Sequence, residues 1–286
     1  MNILLRALLI CSMLFAGPLV LAHSGQTEKT QIEIVQAETA QAVLAALALS
    51  DIIEVMRQEG LAQAVDVTGG FLPSTAAVAW RRDLDAIYDV NWMKATVAAH
   101  FARELGDADM SDVLAFLTST NGKRLVALEV SARQAMSDAS IEDAARSVYR
   151  ASGDASDTRR DLVATFISRN DMVAANVESA LHASFSYYRG LRESGALEMS
   201  DREIIEEVWA TEAETRSDTS EWLHAFLWMA YAPLDNSVLA EYSALSATGA
   251  GQQMNKALFA SFDQMFAEIF YALGLTTGQA LQTQNL

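Results

Sequence analysis

Nine residues near the middle of the chain are compatible with two opposite folds: Phe116-Leu117-Thr118-Ser119-Thr120-Asn121-Gly122-Lys123-Arg124. An Asn-Gly pair is a strong signal for a two-residue hairpin turn, and residues 113–119 and 124–130 would be the strands. The same residues fit a helix, a tight break and a second helix. In that arrangement Ser119 caps the second helix and Gly122 lets a neighbouring backbone come close.

An internal repeat helps to decide between these folds. Three rare or special residues recur 129 or 130 positions later: Trp80 and Trp209, Trp92 and Trp222, Gly122 and Gly251. Self-similarity at a fixed spacing indicates a duplicated structural unit. We therefore predict two units, residues 34–149 and 158–274. A polar linker, 150–157, joins them, and flexible segments 23–33 and 275–286 flank them.

The second unit favours the helical alternative. Gly251 is followed by residues 252–258, Gln-Gln-Met-Asn-Lys-Ala-Leu, which contain no β-branched side chain. Apolar residues then recur at steps of three and four, which is typical of one buried helix face: Phe259, Phe262, Phe266, Ile269, Phe270. The prediction is an all-α protein made of two tandem helical-bundle repeats. Helix starts are predicted at the capping-box sequences 200–203 and 218–221.

The amino terminus has the pattern of a secretory signal peptide. Arg6 precedes an apolar run from Leu8 to Leu21, and small residues surround a cleavage point after Ala22. A retained membrane anchor is the alternative, but Gly17 and Pro18 interrupt a run that is short for a spanning helix. We predict cleavage of residues 1–22 and a periplasmic or secreted protein with no integral membrane segment.

Charge and cysteine content restrict the possible partners. The chain carries a net charge of −17, and its single cysteine, Cys11, lies within the predicted signal peptide. The exported protein is therefore predicted to be free of disulfides. Nucleic acid is excluded as a partner because its binding relies on clustered Lys and Arg.

A short motif resembles a known family. Phe116, Ser119, Gly122 and Lys123 follow the order aromatic, two residues, Ser, two residues, Gly, Lys. This order resembles the signature of an exported bacterial family, domain of unknown function twenty fifty-nine. The second unit departs from it, with Leu245, Thr248, Gly251 and Gln252 at the same places. The resemblance implies a small helical envelope domain without an assigned activity, and structural roles for Phe116, Ser119, Gly122, Lys123, Leu245, Thr248 and Gly251.

No metal site is predicted. Glu221 and His224 have the spacing that places a carboxylate and an imidazole on one helix face, as in di-iron bundles. Such sites need a second pair, but Asn91 and Lys94 stand at the corresponding positions of the first unit. The other histidines, His23, His100 and His182, are isolated in the sequence.

Catalytic and cofactor motifs are also not found. The sequence has no Gly-x-Ser-x-Gly nucleophile elbow, and residues 249–251, Gly-Ala-Gly, do not continue into a phosphate-binding loop. No catalytic residue and no cofactor are predicted.

Two functional hypotheses remain. The first is a non-catalytic interaction module that offers a groove to a protein or peptide partner. The second is a small-molecule or lipid binder, with or without hydrolytic activity, that uses an apolar cavity between helices. Aromatic residues of the second unit are its candidate lining: Phe185, Tyr187, Tyr188, Trp222, Phe226, Trp228, Tyr231.

Overall fold

The computed structural model describes residues 26–68, 74–152 and 158–282. Within these ranges the chain forms thirteen α-helices and no strand, so the predicted all-α fold is confirmed. The first seven helices are α1 (Gln26–Ala46), α2 (Leu49–Thr68), α3 (Ser74–Ile87), α4 (Val90–Leu105), α5 (Ser111–Thr118), α6 (Thr120–Ala135) and α7 (Ala139–Ala151). The other six are α8 (Thr158–Arg169), α9 (Met172–Glu193), α10 (Asp201–Trp209), α11 (Glu212–Tyr231), α12 (Asn236–Ser246) and α13 (Gly249–Gln282).

The longest helix, α13, lies at the centre of the molecule. Its 34 residues span about 50 Å at 1.5 Å per residue. It packs most extensively against α9 and next against α4. The predicted apolar stripe is confirmed, since all five of its side chains are buried: Phe259, Phe262, Phe266, Ile269, Phe270.

Buried apolar side chains from both predicted units form one continuous core. Phe101 of α4 and Leu117 of α5 are fully buried in the same cluster as Tyr231 of α11 and Phe266 of α13. Burial of such side chains is the main stabilising contribution to a fold of this kind. The residues of the two predicted units therefore share one core.

Helix α13 continues past Gly274, where the second unit was predicted to end. A Cβ on Gly274 would overlap the carbonyl oxygen of Tyr187, and a Cβ on Gly190 of α9 would overlap that of Tyr271. Glycine at these two places lets the helix backbones touch. Gly274 thus marks a close helix crossing. The chain stays helical to Gln282, and Gly278 lies against Ser194 and Ala196, just after the end of α9.

One of the two predicted helix starts is correct. Ser200 and Glu203 form a full capping box at the beginning of α10. The start predicted at Asp218 is wrong, because α11 begins at Glu212 and Asp218 lies within it. The Asp218 carboxylate instead pairs with Arg146 of α7 at 3.1 Å, so its role is a contact between helices.

The ambiguous segment around Gly122 is helical. Helices α5 and α6 meet at Ser119, whose hydroxyl oxygen accepts a hydrogen bond from the Gly122 amide at 3.1 Å. A Cβ on Gly122 would overlap the Phe116 carbonyl oxygen and lie 2.7 Å from the Leu117 Cα. The predicted cap and the predicted close approach are both confirmed, and the hairpin alternative is wrong.

The predicted repeat can be compared with the burial of its members. Three positions of α4 are fully buried, as are the positions 130 residues later in α11: Met93 and Leu223, Val97 and Leu227, Phe101 and Tyr231. Trp80 and Trp209 differ, because Trp80 is buried whereas Trp209 is 62% exposed. Duplication stays a prediction.

Several predicted boundaries lie outside the described residues. The signal peptide 1–22 and residues 153–157 of the linker are among them. At the amino end, α1 begins at Gln26, before the predicted unit boundary at Ile34.

Candidate functional site

The motif residues of the first unit build the junction between α5 and α6. Phe116 is buried and stacks on Tyr242 of α12, with ring centroids 5.5 Å apart and an interplanar angle of 11°. Ser119 caps α6, Gly122 allows the close approach, and Lys123 is exposed. These residues position helices and do not converge on a reactive group.

The corresponding residues of the second unit form the same kind of junction between α12 and α13. Thr248 accepts a hydrogen bond from the Gly251 amide at 3.1 Å. A Cβ on Gly251 would overlap the Leu245 carbonyl oxygen and lie 2.7 Å from the Ser246 Cα. Thr248 therefore takes the place that Ser119 has in the first unit.

The side chains of the predicted pair, Glu221 and His224, do not converge on a common point. The Nδ1 of His224 lies 2.7 Å from the Ser220 carbonyl oxygen, whereas Glu221 pairs with Arg150 of α7. Among the side chains that the structure describes, in residues 36–64, 79–152 and 158–282, no three His, Cys, Asp or Glu are grouped so that they could hold a metal ion. His100 is hydrogen-bonded to Arg103, and His23 lies outside the described residues.

A cavity of about 90 Å³ lies where the first two helices face the last three. We name it the α2–α13 cleft. One wall is aliphatic and comes from the end of α1, the turn that follows it and α2: Leu44, Leu47, Leu49, Ile52, Met56. The opposite wall comes from α11, α12 and α13: Phe226, Tyr242, Met254, Asn255, Leu258, Phe262. Glu129, Val130 and Arg133 of α6 complete the lining.

Arg133 is the basic residue of this lining, and it is already paired. Its Nη2 lies 2.5 Å from Glu59 Oε2 of α2, and both side chains are largely buried. Its guanidinium also lies over the ring of Trp222, 5.1 Å from the centroid. Ser137 donates a second hydrogen bond to Glu59, at 2.8 Å. The charge of Arg133 is thus balanced within the wall of the cleft.

Glu129 is the acidic residue of the lining. Its carboxyl group accepts a hydrogen bond from the hydroxyl of Tyr231 in α11. Desolvation by burial raises the pKa of Glu129 to about 7, and the bond from Tyr231 opposes part of this shift. The Glu129 carboxyl therefore changes charge near neutral pH, inside a mostly apolar cleft.

A second concave surface lies between α9, α10 and α11. We name it the α9–α11 groove, with a volume of about 490 Å³. Its α9 side is Ala174, Val177, Glu178, Leu181, His182 and Phe185. Its other side is Ile205, Val208, Trp209, Glu212 and Arg216. His182 Nδ1 lies 2.9 Å from Asp263 Oδ2, and this hydrogen bond raises the pKa of the imidazole.

The predicted aromatic residues do not line one cavity. Phe226 lines the α2–α13 cleft, and Trp222 stacks on it with centroids 4.9 Å apart. Phe185 lies instead in the α9–α11 groove, and Trp228 packs against Tyr149 of α7. They are separated because they sit on different faces of α9 and α11.

Sequence reasoning missed the polar pair of the cleft. Glu129 and Arg133 lie 129 positions before Leu258 and Phe262, which are buried in α13. At these equivalent sequence positions, the first predicted unit has a charged residue where the second has a buried apolar one. This difference is the signal that could have identified Glu129 and Arg133.

Comparison with protein families gives one result, for the segment that holds α4 to α7. Residues 91–150 match the family described as uncharacterized protein conserved in bacteria, DUF2059. The resemblance predicted from Phe116 to Lys123 is confirmed. The DUF2059 match begins at the first turn of α4 and ends at Arg150, so it includes the α5–α6 junction. Searches of curated proteins and of solved structures give no match.

The described helices were also compared with the requirements of a membrane span. None of them alone is both long and apolar enough to cross a bilayer. The bent pair Gln36–Ala46 and Leu49–Ala64, which meet at 63°, satisfies length and composition only when taken together.

Proposed function

We propose that the protein is an exported, non-catalytic binding protein whose α9–α11 groove holds an amphipathic, basic helix of a partner protein. The observation that carries this proposal is the exposure of two large apolar side chains at the groove. Trp209 is 62% exposed and Ile205 is 44% exposed. Large apolar side chains grouped at the surface are typical of interaction sites.

The shape of the groove supports a helical occupant. Below the exposed residues lies a small apolar cluster that includes Val177, Leu181 and Val208. A helix placed in such a groove inserts side chains spaced three and four residues apart. Trp209 would then cover the inserted face, because aromatic side chains supply large contact areas at interfaces.

The charge around the groove supports a basic partner. Glu178 and Glu212 belong to its lining. Burial, and after it the negative charge of nearby Glu207, raises the pKa of the Tyr188 phenol. Arg216 pairs with Glu212 at 2.6 Å, so these two charges offset each other, and Glu178 supplies the negative charge of the lining. Complementary charge accelerates association and selects partners.

Two designed helical peptides with the same apolar face test the proposal. One carries Lys and the other Glu on the polar face, and each is titrated into the exported chain by calorimetry. We expect binding of the Lys peptide only, and a loss of about tenfold or more in affinity on Trp209→Ser, as for a buried interface tryptophan.

A matched control separates the groove from general attraction to an acidic protein. Val148 of α7 is 58% exposed and lies outside the groove, so Val148→Ser should leave the affinity unchanged. Equal losses in Trp209→Ser and Val148→Ser, or equal binding of both peptides, would contradict the proposal.

We also propose that residues 34–149 and 158–274 are two copies of one helical unit and that the protein acts in the periplasm or outside the cell. The matched burial in α4 and α11 and the matched junctions at Gly122 and Gly251 support the duplication. The predicted signal peptide supports export. Mass spectrometry of the protein recovered from the periplasm should find that residues 1–22 have been removed and that His23 is the first residue.

A second candidate function is favoured by the α2–α13 cleft. A small apolar molecule or a lipid chain would find there an apolar lining with few polar groups, which is the usual character of ligand sites.

A further inference from the structure

The α2–α13 cleft combines an apolar lining with one carboxyl group whose charge is not balanced by the neighbouring ion pair. The charges of Arg133 and Glu59 sum to zero, and Arg133 Nη2 lies 2.5 Å from Glu59 Oε2. Glu129 adds one negative charge when it is ionised, and the hydrogen bond it accepts from Tyr231 comes from a neutral group. An ionised Glu129 therefore leaves the cleft with a net charge of −1.

The size of the cleft limits what can enter it. An apolar cavity of about 150 Å³ holds a benzene molecule, so the roughly 90 Å³ of this cleft holds an alkyl segment of about three carbons. The cleft is open to solvent on one side, so the rest of a longer chain lies at its mouth. Ile52 and Met56 on one side and Leu258 and Phe262 on the other would contact such a segment. Each buried methylene contributes about 0.8 kcal/mol, so the chain length of a ligand affects its affinity.

We propose that the α2–α13 cleft binds a cationic amphiphile, with its ammonium group on the carboxylate of Glu129 and its alkyl chain between α2 and α13. The ammonium supplies the positive charge that the cleft lacks, and it donates a charge-assisted hydrogen bond to the carboxylate. The net charge of −17 acts in the same direction, because it attracts cations and repels anionic amphiphiles.

The proposal includes a dependence on pH. The ionisable side chains around the cleft are Glu129, Arg133, Tyr231 and Tyr242, with Glu59 behind Arg133. A cation binds the ionised form of Glu129, so its affinity should rise as the pH passes through about 7, where burial places the pKa of this carboxyl. A primary amine stays charged throughout this range, as a lysine side chain does.

Three probes of equal chain length test the head group: n-hexylammonium, n-hexanol and n-hexanoate. Each is titrated into the full exported chain at pH 5.5 and pH 8 and followed by calorimetry. We expect hexylammonium to bind about tenfold or more tighter than hexanol at pH 8, since a charge-assisted hydrogen bond is worth that factor. The ratio should approach one at pH 5.5, and hexanoate should bind weakest.

Two isosteric variants locate the cation. Glu129→Gln should abolish the preference for hexylammonium and leave the binding of hexanol unchanged. Glu268→Gln removes the same charge from an exposed position of α13 and should retain the preference. The proposal is overturned if none of the probes binds, if hexanoate binds tightest, or if the preference survives in Glu129→Gln. The pH profile of the unaltered chain tests it without any variant.

Discussion

The hydroxyl of Tyr231 donates a hydrogen bond to the carboxyl group of Glu129, and so joins α11 to α6 beside the α2–α13 cleft. Tyr231 is fully buried, and its ring meets Phe166 of α8 edge to face, with centroids 6.3 Å apart. The titrating carboxyl group of Glu129 is thus hydrogen-bonded to a fully buried side chain of the core. Its protonation should affect the stability of the whole fold.

We predict that Glu129 makes the protein less stable as the pH rises from about 4.5 to about 7. Burial raises the folded-state pKa of this carboxyl from about 4.5 to about 7, so the folded state binds its proton more tightly than the unfolded state does. The stabilisation is complete below the unfolded pKa and is lost as the pH passes through the folded pKa. Its size is on the order of 3 kcal/mol, from 1.36 kcal/mol per unit.

Urea denaturation at pH 5 and pH 8 measures this effect. The free energy of unfolding should fall more between these values in the unaltered chain than in Glu129→Gln, by roughly 2 to 3 kcal/mol. Glu268→Gln, at an exposed position, should behave like the unaltered chain. Identical pH profiles for Glu129→Gln and the unaltered chain would show that Glu129 titrates normally.

The helical fold could be predicted because most local signals agreed, and the second unit decided the one segment, around Gly122, where they conflicted. Ser119 and Thr248 precede Gly122 and Gly251 by three residues, and each caps the helix that follows it. Capping depends on near neighbours in the chain, which a sequence displays directly. The apolar stripe from Phe259 is a local signal of the same kind, because its period fixes the buried face.

The candidate sites could not be predicted, because they depend on contacts between distant segments. Glu129 accepts a hydrogen bond from Tyr231, 102 residues later in the chain. Arg133, in the same wall of the cleft, forms an ion pair with Glu59 of α2. The sequence analysis places the end of the second unit at Gly274, whereas this residue lies inside α13 at a close contact with Tyr187. Neither relationship follows from local sequence patterns.

We predict that Glu59→Gln destabilises the fold by about 3 kcal/mol. Glu59 and Arg133 are 2.5 Å apart, with side chains only 11% and 6% exposed, so the change removes the anionic partner of a buried guanidinium. Adding Arg133→Met should recover most of the loss, because a buried guanidinium is then no longer left without its anionic partner. Thermal unfolding of the single and double variants measures the difference.

The exposed pair Arg202 and Glu206 is the control for that experiment. Their side chains are 87% and 63% exposed, so Glu206→Gln should change the unfolding free energy by less than about 0.5 kcal/mol. A loss in Glu59→Gln as small as in Glu206→Gln would show that the buried pair does not stabilise the fold.

We predict that His182 titrates above the usual range for histidine. Its hydrogen bond with Asp263 is the main cause, and it favours the imidazolium form. The contribution of this pair to stability is present below the unfolded pKa and is lost as the pH rises through the raised folded pKa. NMR titration of the ring proton measures the pKa, and Asp263→Asn should lower it. An unchanged titration in Asp263→Asn would assign the shift to another group.

We predict that Gly122→Ala and Gly251→Ala each destabilise the protein by about 2 to 3 kcal/mol. A methyl group at either position would overlap a carbonyl oxygen of the preceding helix and lie 2.7 Å from a Cα, and a backbone cannot move away as a side chain can. Gly249→Ala is the matched control, because it lies two residues before Gly251 and a Cβ there meets nothing within 4 Å. That variant should be neutral or slightly stabilising, since alanine has a higher helix propensity than glycine. Urea denaturation compares all three, and a loss in Gly249→Ala equal to that in Gly251→Ala would mean that the close contact between α12 and α13 is not what requires glycine.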